Sequence, residues 1–293
     1  MMFKKNKLRE WLLSLKKHED DSNAEMSFFG HLDVLRKHLI RAALAIAITT
    51  AWAFSYYDFI FDKIILGPKK ADFLTYRTMC WIAERFKLGT DYCLKEINFK
   101  IINTEMAGQF NLQLNSSVII GIILGFPYLL FEIWLFIKPA LRVKERKAAS
   151  GFVFYASILF LSGILFGYYI IAPYSIRFLV GFHVSEVIEN QITIDSYLSS
   201  IVTLTLGTGI IFEMPVIVLI FSGLGLLTPK LMRSSRRYAI VIMLIIAAVV
   251  TPTPDIQTML IVFVPLMILY EISIMVAIRV EQKTIRTVHA GIR

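Results

Sequence analysis

Long uncharged stretches organise this chain. Residues 39–57, 118–137, 151–173, the middle of 197–227, 239–250 and 256–278 are almost wholly apolar, and charges and turn-formers collect between them. A helix needs about 20 apolar residues to cross the roughly 30 Å of hydrocarbon in a bilayer, so runs of this kind predict membrane spans. The run at 239–250 is short, reaching roughly 18 Å at about 1.5 Å per residue. It still counts as a span because of the charges around it. Lys230, Arg233, Arg236 and Arg237 precede it, while Arg279, Lys283 and Arg286 follow the last run. Both basic groups lie on one side of the membrane only if these two runs cross as a pair. The turn between them is Thr251-Pro252-Thr253-Pro254-Asp255. Trp52, Tyr56 and Tyr57 close the first run, aromatics suited to the headgroup boundary.

The expected fold is therefore all-α: a polytopic membrane protein of six transmembrane helices. Pro127, Pro215 and Pro265 fall inside spans and Pro173 closes the third, which predicts kinked helices around a concave face. Gly121/Gly125 and Gly163/Gly167 fit close helix crossings and fit incidental spacing equally well. No internal repeat is visible, which weighs against a carrier built from inverted halves. The expected divisions are a cytoplasmic tail at 1–38, a membrane domain at 39–280 with its outer loop 58–115 as a cap, and a cytoplasmic tail at 281–293.

Composition agrees. Apolar residues make up 56 % and charged residues 18 % of the chain, and the mean hydropathy is +0.64. The net charge of +9 would suit nucleic acid in a soluble protein, but here its placement matters more. Of 31 basic residues, 22 fall in the two tails and the two loops assigned to the inside. Eight of the rest lie in the long loop 58–115, and the short outer loops hold only Arg177. Both termini are expected in the cytoplasm, with no nucleic-acid partner. The first residues carry lysines throughout and no continuous apolar core, so no cleavable signal peptide is expected. Two cysteines without a CxxC or a His/Cys cluster give no metal-site spacing, and no cofactor is expected. Cys80 and Cys93 share the outer loop, where a disulfide and a pair of reduced thiols both fit.

The chemistry is carried by acids in places that disfavour them. Glu213 lies mid-span in Phe212-Glu213-Met214-Pro215 with no basic residue in its helix. Such residues face a cavity or a partner. Glu132 is the one charge in the second span, and Glu271 lies in the last. An ion-coupled carrier would use Glu132, Glu213 and Glu271 as a relay, and this is the rival reading. Glu145 sits in an otherwise basic inner loop, where local pairing with Arg142 or a lysine is the simplest explanation. No residue set supports an enzyme.

Several motifs, in order, resemble the TatC family, the multispanning receptor subunits of the twin-arginine protein translocase. They are Phe28-Phe29-Gly30-His31-Leu32-Asp33-Val34-Leu35-Arg36, then Phe131 to Leu141 followed by Lys144-Glu145-Arg146. Gly163, Phe166, Tyr168 and Pro173 follow, then Phe212-Glu213-Met214-Pro215, Thr253-Pro254-Asp255, Pro265, Tyr270 and Glu271. The resemblance covers roughly residues 26–280.

The resemblance implies a receptor in the bacterial cytoplasmic membrane that binds paired-arginine signal peptides of folded cargo. Its implied partners are small single-span subunits of the TatA and TatB type, further copies of itself, and membrane lipid. Two guanidinium groups want carboxylates in a fork geometry. Glu145 occupies the matching position, with Arg146 beside it and Phe136 one short loop earlier. The family's N-terminal acid directly precedes Leu-Arg; here that place is Val34, and Asp33 stands one residue earlier. On a helix this turns the carboxylate by about 100°, and pairing with Lys37 competes. Glu213 with Pro215 matches the family's buried acid, with Glu132 and Glu271 as further polar contacts. Asp255 matches an acid of the last outer loop, although Met259 replaces the glutamine usual four residues later.

Overall fold

A computed structural model describes residues 28–70, 72–87, 99–138, 151–185, 190–223, 225–251 and 255–290. Helix α1 (Phe28–Ser55) leads into a connecting segment containing α2 (Leu74–Phe86) and strand β1 (Ile101–Ile102). Helix α3 (Gly108–Ile137) returns, and α4 (Phe152–Phe166) runs through a π-helical turn at Gly167–Ile171 into α5 (Ala172–Gly181). Strand β2 (Ile192–Thr193) precedes α6 (Ile194–Phe212) and α7 (Met214–Gly223). The short α8 (Pro229–Ser234), α9 (Arg236–Val250) and the long α10 (Ile256–Ala290) complete the described chain. Five of the described helical stretches are long and apolar enough to cross a membrane; α9, at 15 residues, falls short of that length.

The glycine pairs mark two helix crossings. A Cβ on Gly121 would lie 2.8 Å from the Thr50 Cα of α1, and the Thr49 hydroxyl donates to the Gly121 carbonyl at 2.7 Å. On α4, a Cβ at Gly163 would lie 2.7 Å from the Thr208 carbonyl of α6, and Thr208 donates to the Gly163 carbonyl at 3.0 Å. Gly167 repeats the arrangement against Leu204 and Thr205. Lipid tails are as apolar as leucine, so close backbone approach and interhelical hydrogen bonds hold such bundles. Apolar side chains accordingly face outward, among them Leu39, Leu44, Ile48, Ile245 and Val249. The buried centre joins Ile171 and Leu204 to Met243, Ala247, Val262 and Leu266.

Several expected boundaries move. The helix α1 begins at Phe28 and α10 runs on to Ala290, each extending beyond its apolar run. Pro173 does not close the third span. It lies inside a continuous helix, just after the π-helical turn at Gly167–Ile171, and the Thr75 hydroxyl donates to the Tyr169 carbonyl that a proline at 173 leaves without its helical N–H, so the span continues to Gly181. The fourth span breaks between α6 and α7 at Glu213, two residues before Pro215.

The segment between α1 and α3 packs over one end of the bundle as a cap and is pinned to it by hydrogen bonds. Tyr168 donates to the Ile64 carbonyl at 2.6 Å and Tyr197 to the Ile65 carbonyl at 3.0 Å, while Thr75 donates to Tyr169. Phe73 stacks on Tyr169 and meets Tyr168 edge-on. Tyr76 donates to Pro68 at 2.8 Å, and burial pushes its hydroxyl up to about 12. A parallel pairing of β1 with β2, absent from the hydropathy pattern, ties the cap to the connection before α6. Cys80 is half of a disulfide, and the other cysteine, Cys93, lies outside the described residues.

Candidate functional site

The polar side chains gather at three places. The first is the junction of α1 and α3. Glu132 is only 3 % exposed, yet it is fully engaged. Tyr128, one turn earlier on α3, donates to its Oε1 at 2.7 Å, and His38 Nδ1 of α1 lies 2.5 Å from its Oε2. Arg41 adds positive potential across the same pair. The imidazole also meets Phe136 edge-on, ring centroids 6.4 Å apart. Phe136, half-buried at the end of α3, is thus tied to Glu132 through His38. Pairing is what makes a carboxylate tolerable there, since an unpaired buried charge is strongly destabilising.

Asp33 lies on another face of α1. It pairs with Lys37 at 2.9 Å, with both side chains largely exposed. Val34 stands one turn before His38 and is half-buried, so α1 turns Val34 and His38 together and leaves Asp33 outside that stripe. Glu145 and Arg146 lie outside the described residues.

The second place is the break in the fourth span. Glu213 is 7 % exposed and ends α6, with its carbonyl accepting from Val216 and Ile217 of the next helix. Both carboxylate oxygens are enclosed, and neither has a hydrogen bond of normal geometry among the described residues; the polar group facing them is the Phe160 main chain. Pro215 supplies the break, because it has no N–H to continue the helix ladder.

The third place is the α9–α10 pair. Arg236 donates to Glu271 at 2.9 Å, and both are partly exposed. At the other end of α10, Asp255 Oδ2 accepts from the Thr258 N–H at 2.7 Å and from its hydroxyl at 2.6 Å, an N-cap that starts the helix after the proline-rich turn. Of the three acids a relay would need, Glu132 and Glu271 are committed to local partners and Glu213 stands apart from both pairs. No cluster of metal-ligating side chains occurs among the described residues.

The sequence matches the family described as Sec-independent protein translocase protein (TatC) over residues 30–265. The chain belongs to the TatC family. The TatC protein of Blattabacterium sp. subsp. Periplaneta americana (strain BPLAN) is 37 % identical over 260 residues, covering 88 % of this chain and 97 % of that protein. The TatCy protein of Bacillus subtilis (strain 168) is 32 % identical over 86 % of this chain and 89 % of its own length. A solved structure described as the twin arginine translocase receptor TatC superposes with a TM-score of 0.63 at 28 % identity, covering 86 % of this chain and 99 % of that one. The TatC fold has six transmembrane helices, so the short α9 is a membrane crossing despite its length. A TatC protein is a transport component, and this chain is a multi-pass membrane protein.

Sequence reasoning missed His38 and Tyr128. Tyr128 stands four residues before Glu132, a helix-neighbour spacing that was available to notice. His38 is 94 positions away and carried no such signal.

Proposed function

We propose that the protein is the signal-peptide receptor and core subunit of a twin-arginine translocase, capturing paired-arginine peptides at its cytoplasmic rim and organising export of folded proteins. The supporting observation is the match to the solved TatC receptor along 86 % of this chain, at an identity high enough for more than a shared fold. Both termini lie in the cytoplasm, as the bias of basic residues favours, and the cap covers the outer face. Glu145 holds the guanidinium groups, with Arg146 beside it in the same loop, Phe136 flanks them, and Asp33 contributes once Lys37 releases it. Glu213, at the break beside Pro215, accepts a polar group from a small single-span subunit of the TatA or TatB type. Asp255 and the Cys80 disulfide serve the outer structure. The membrane in question is the bacterial cytoplasmic membrane, and the receptor works as several copies in one complex.

Photocrosslinkers placed at positions 33, 136 and 145 test the rim. A labelled paired-arginine peptide is expected to crosslink from 136 and 145 strongly and from 33 more weakly. Crosslinks that appear equally with a peptide carrying lysines in both arginine positions would contradict the assignment, because lysine lacks the planar fork.

A further inference from the structure

A cleft of about 600 Å³ opens between the cap and the end of α3, well away from the rim, the Glu213 break and the α9–α10 pair. Its walls come from the segment after α1, from β1 and from the first turns of α3. Lys69, Asn103, Gln109 and Gln113 supply polar groups, and Phe61 and Phe110 supply apolar wall.

Lys69 is the telling residue. It is half-buried, with its ammonium 5.2 Å from the centre of the Phe99 ring. Among the described residues, no carboxylate lies within ion-pair distance of it. Its neighbour Lys70 is exposed and bonds the Asp62 carbonyl at 2.8 Å. A half-buried cation resting on an aromatic face, with side-chain amides across the cleft, attracts an anion. The position adds a second condition. The helix α3 is a membrane span from Gly108 onward, so the cleft opens at the boundary of hydrocarbon and headgroups. Phe110 and Leu114, 61 % and 45 % exposed, continue from its lip along the outside of α3. A small soluble anion would use the cation and leave this apolar path uncovered.

We infer that the cleft between the cap and α3 binds an anionic phospholipid of the cap-side leaflet, with its phosphate at Lys69, its glycerol oxygens among the amides of Gln109 and Gln113, and its chains along Phe110 and Leu114. The volume takes a headgroup and glycerol but not two acyl chains, which lie outside against the helix. Such a lipid bridges cap and bundle beside the short β1–β2 pair that ties the cap to the chain before α6.

The test uses the full chain in nanodiscs of phosphatidylcholine with a minority of phosphatidylglycerol. After gentle extraction, retained lipid is counted by native mass spectrometry. Lys69→Gln is expected to lower retained phosphatidylglycerol roughly fivefold, the factor for one surface cation on an anionic lipid. Lys70→Gln is expected to leave it unchanged, Phe110→Ser to lower it, and excess inorganic phosphate not to displace it. Equal losses from Lys69→Gln and Lys70→Gln, no loss from Lys69→Gln, or displacement by phosphate would each overturn the site. Binding of a paired-arginine peptide is measured on the same Lys69→Gln sample and is expected to be intact, so the lipid result stands apart from the receptor reading.

Discussion

Replacing His38 with alanine is expected to destabilise the protein by roughly 1–3 kcal/mol, the range for leaving a buried polar group without its hydrogen-bond partner. The carboxylate of Glu132 would keep the Tyr128 hydroxyl but lose the imidazole 2.5 Å away, at a site where its side chain is almost wholly enclosed. Water cannot take the imidazole's place without opening the α1–α3 contact that Gly121 and Thr49 close a few turns further along. His38→Gln keeps a hydrogen-bond donor at that position, and its loss is expected to be clearly smaller. The double change His38→Leu with Glu132→Leu removes both partners, and apolar replacement of a buried pair is often neutral or stabilising. Recovery in the double variant separates pairing from general packing. Thermal unfolding of purified protein in nanodiscs reads all three variants against the parent, and a His38→Ala loss below about 1 kcal/mol would show that the pair does not hold these helices together. Because His38 also faces Phe136 edge-on, peptide capture is expected to weaken in His38→Ala beyond what the unfolded fraction explains.

Glu213→Met is expected to act in opposite senses on stability and on assembly. A buried carboxylate without hydrogen-bond partners of normal geometry carries a desolvation cost, and for buried polar groups this is about 1–3 kcal/mol. A methionine of similar length fills the same space beside Phe160 without that cost, so the isolated chain is expected to become more stable by an amount in this range. Co-purification of the small single-span partners is expected to fall steeply, because the group that receives their polar side chain is gone. Glu213→Gln distinguishes two needs. Assembly that survives it requires hydrogen bonding, and assembly that fails requires the charge. If Glu213→Met lowered stability and left assembly intact, the acid would be a structural residue with a partner in the folded chain.

Those two residues also show what can be read from the chain alone. Glu213 was legible because a single acid in a long uncharged run violates the composition of its surroundings, and burial in a bilayer demands a reason for it. Six spans were legible for the same reason, and the charges flanking 239–250 were enough to retain a helix that length alone would discard. The His38–Glu132 pair was not legible, since hydropathy and spacing describe one helix at a time and the pair joins two helices. Polar sequence stays helical beyond the apolar run at Phe28 and after Ile278, which hydropathy alone does not register. Pro173 suggests a stop because a proline ends a helix in most positions, whereas here a π-helical turn and the Thr75 hydroxyl on the Tyr169 carbonyl carry the helix past it. The β1–β2 pairing involves two residues on each strand, too few for any period to register. Asp33 pairs with Lys37 one turn on, the competing local contact that its spacing on a helix allows.

The measurement closest to the central claim is the affinity of a paired-arginine signal peptide for the purified protein and for its Glu145→Ala variant, each compared with the same peptide carrying two lysines. The intact protein is expected to prefer arginine over lysine. Glu145→Ala is expected to weaken binding of the arginine peptide roughly ten- to hundredfold, the scale of one lost charge-assisted contact, and to erase most of the preference. Unchanged affinity in Glu145→Ala, with the arginine preference intact, would contradict a carboxylate grip at the cytoplasmic rim.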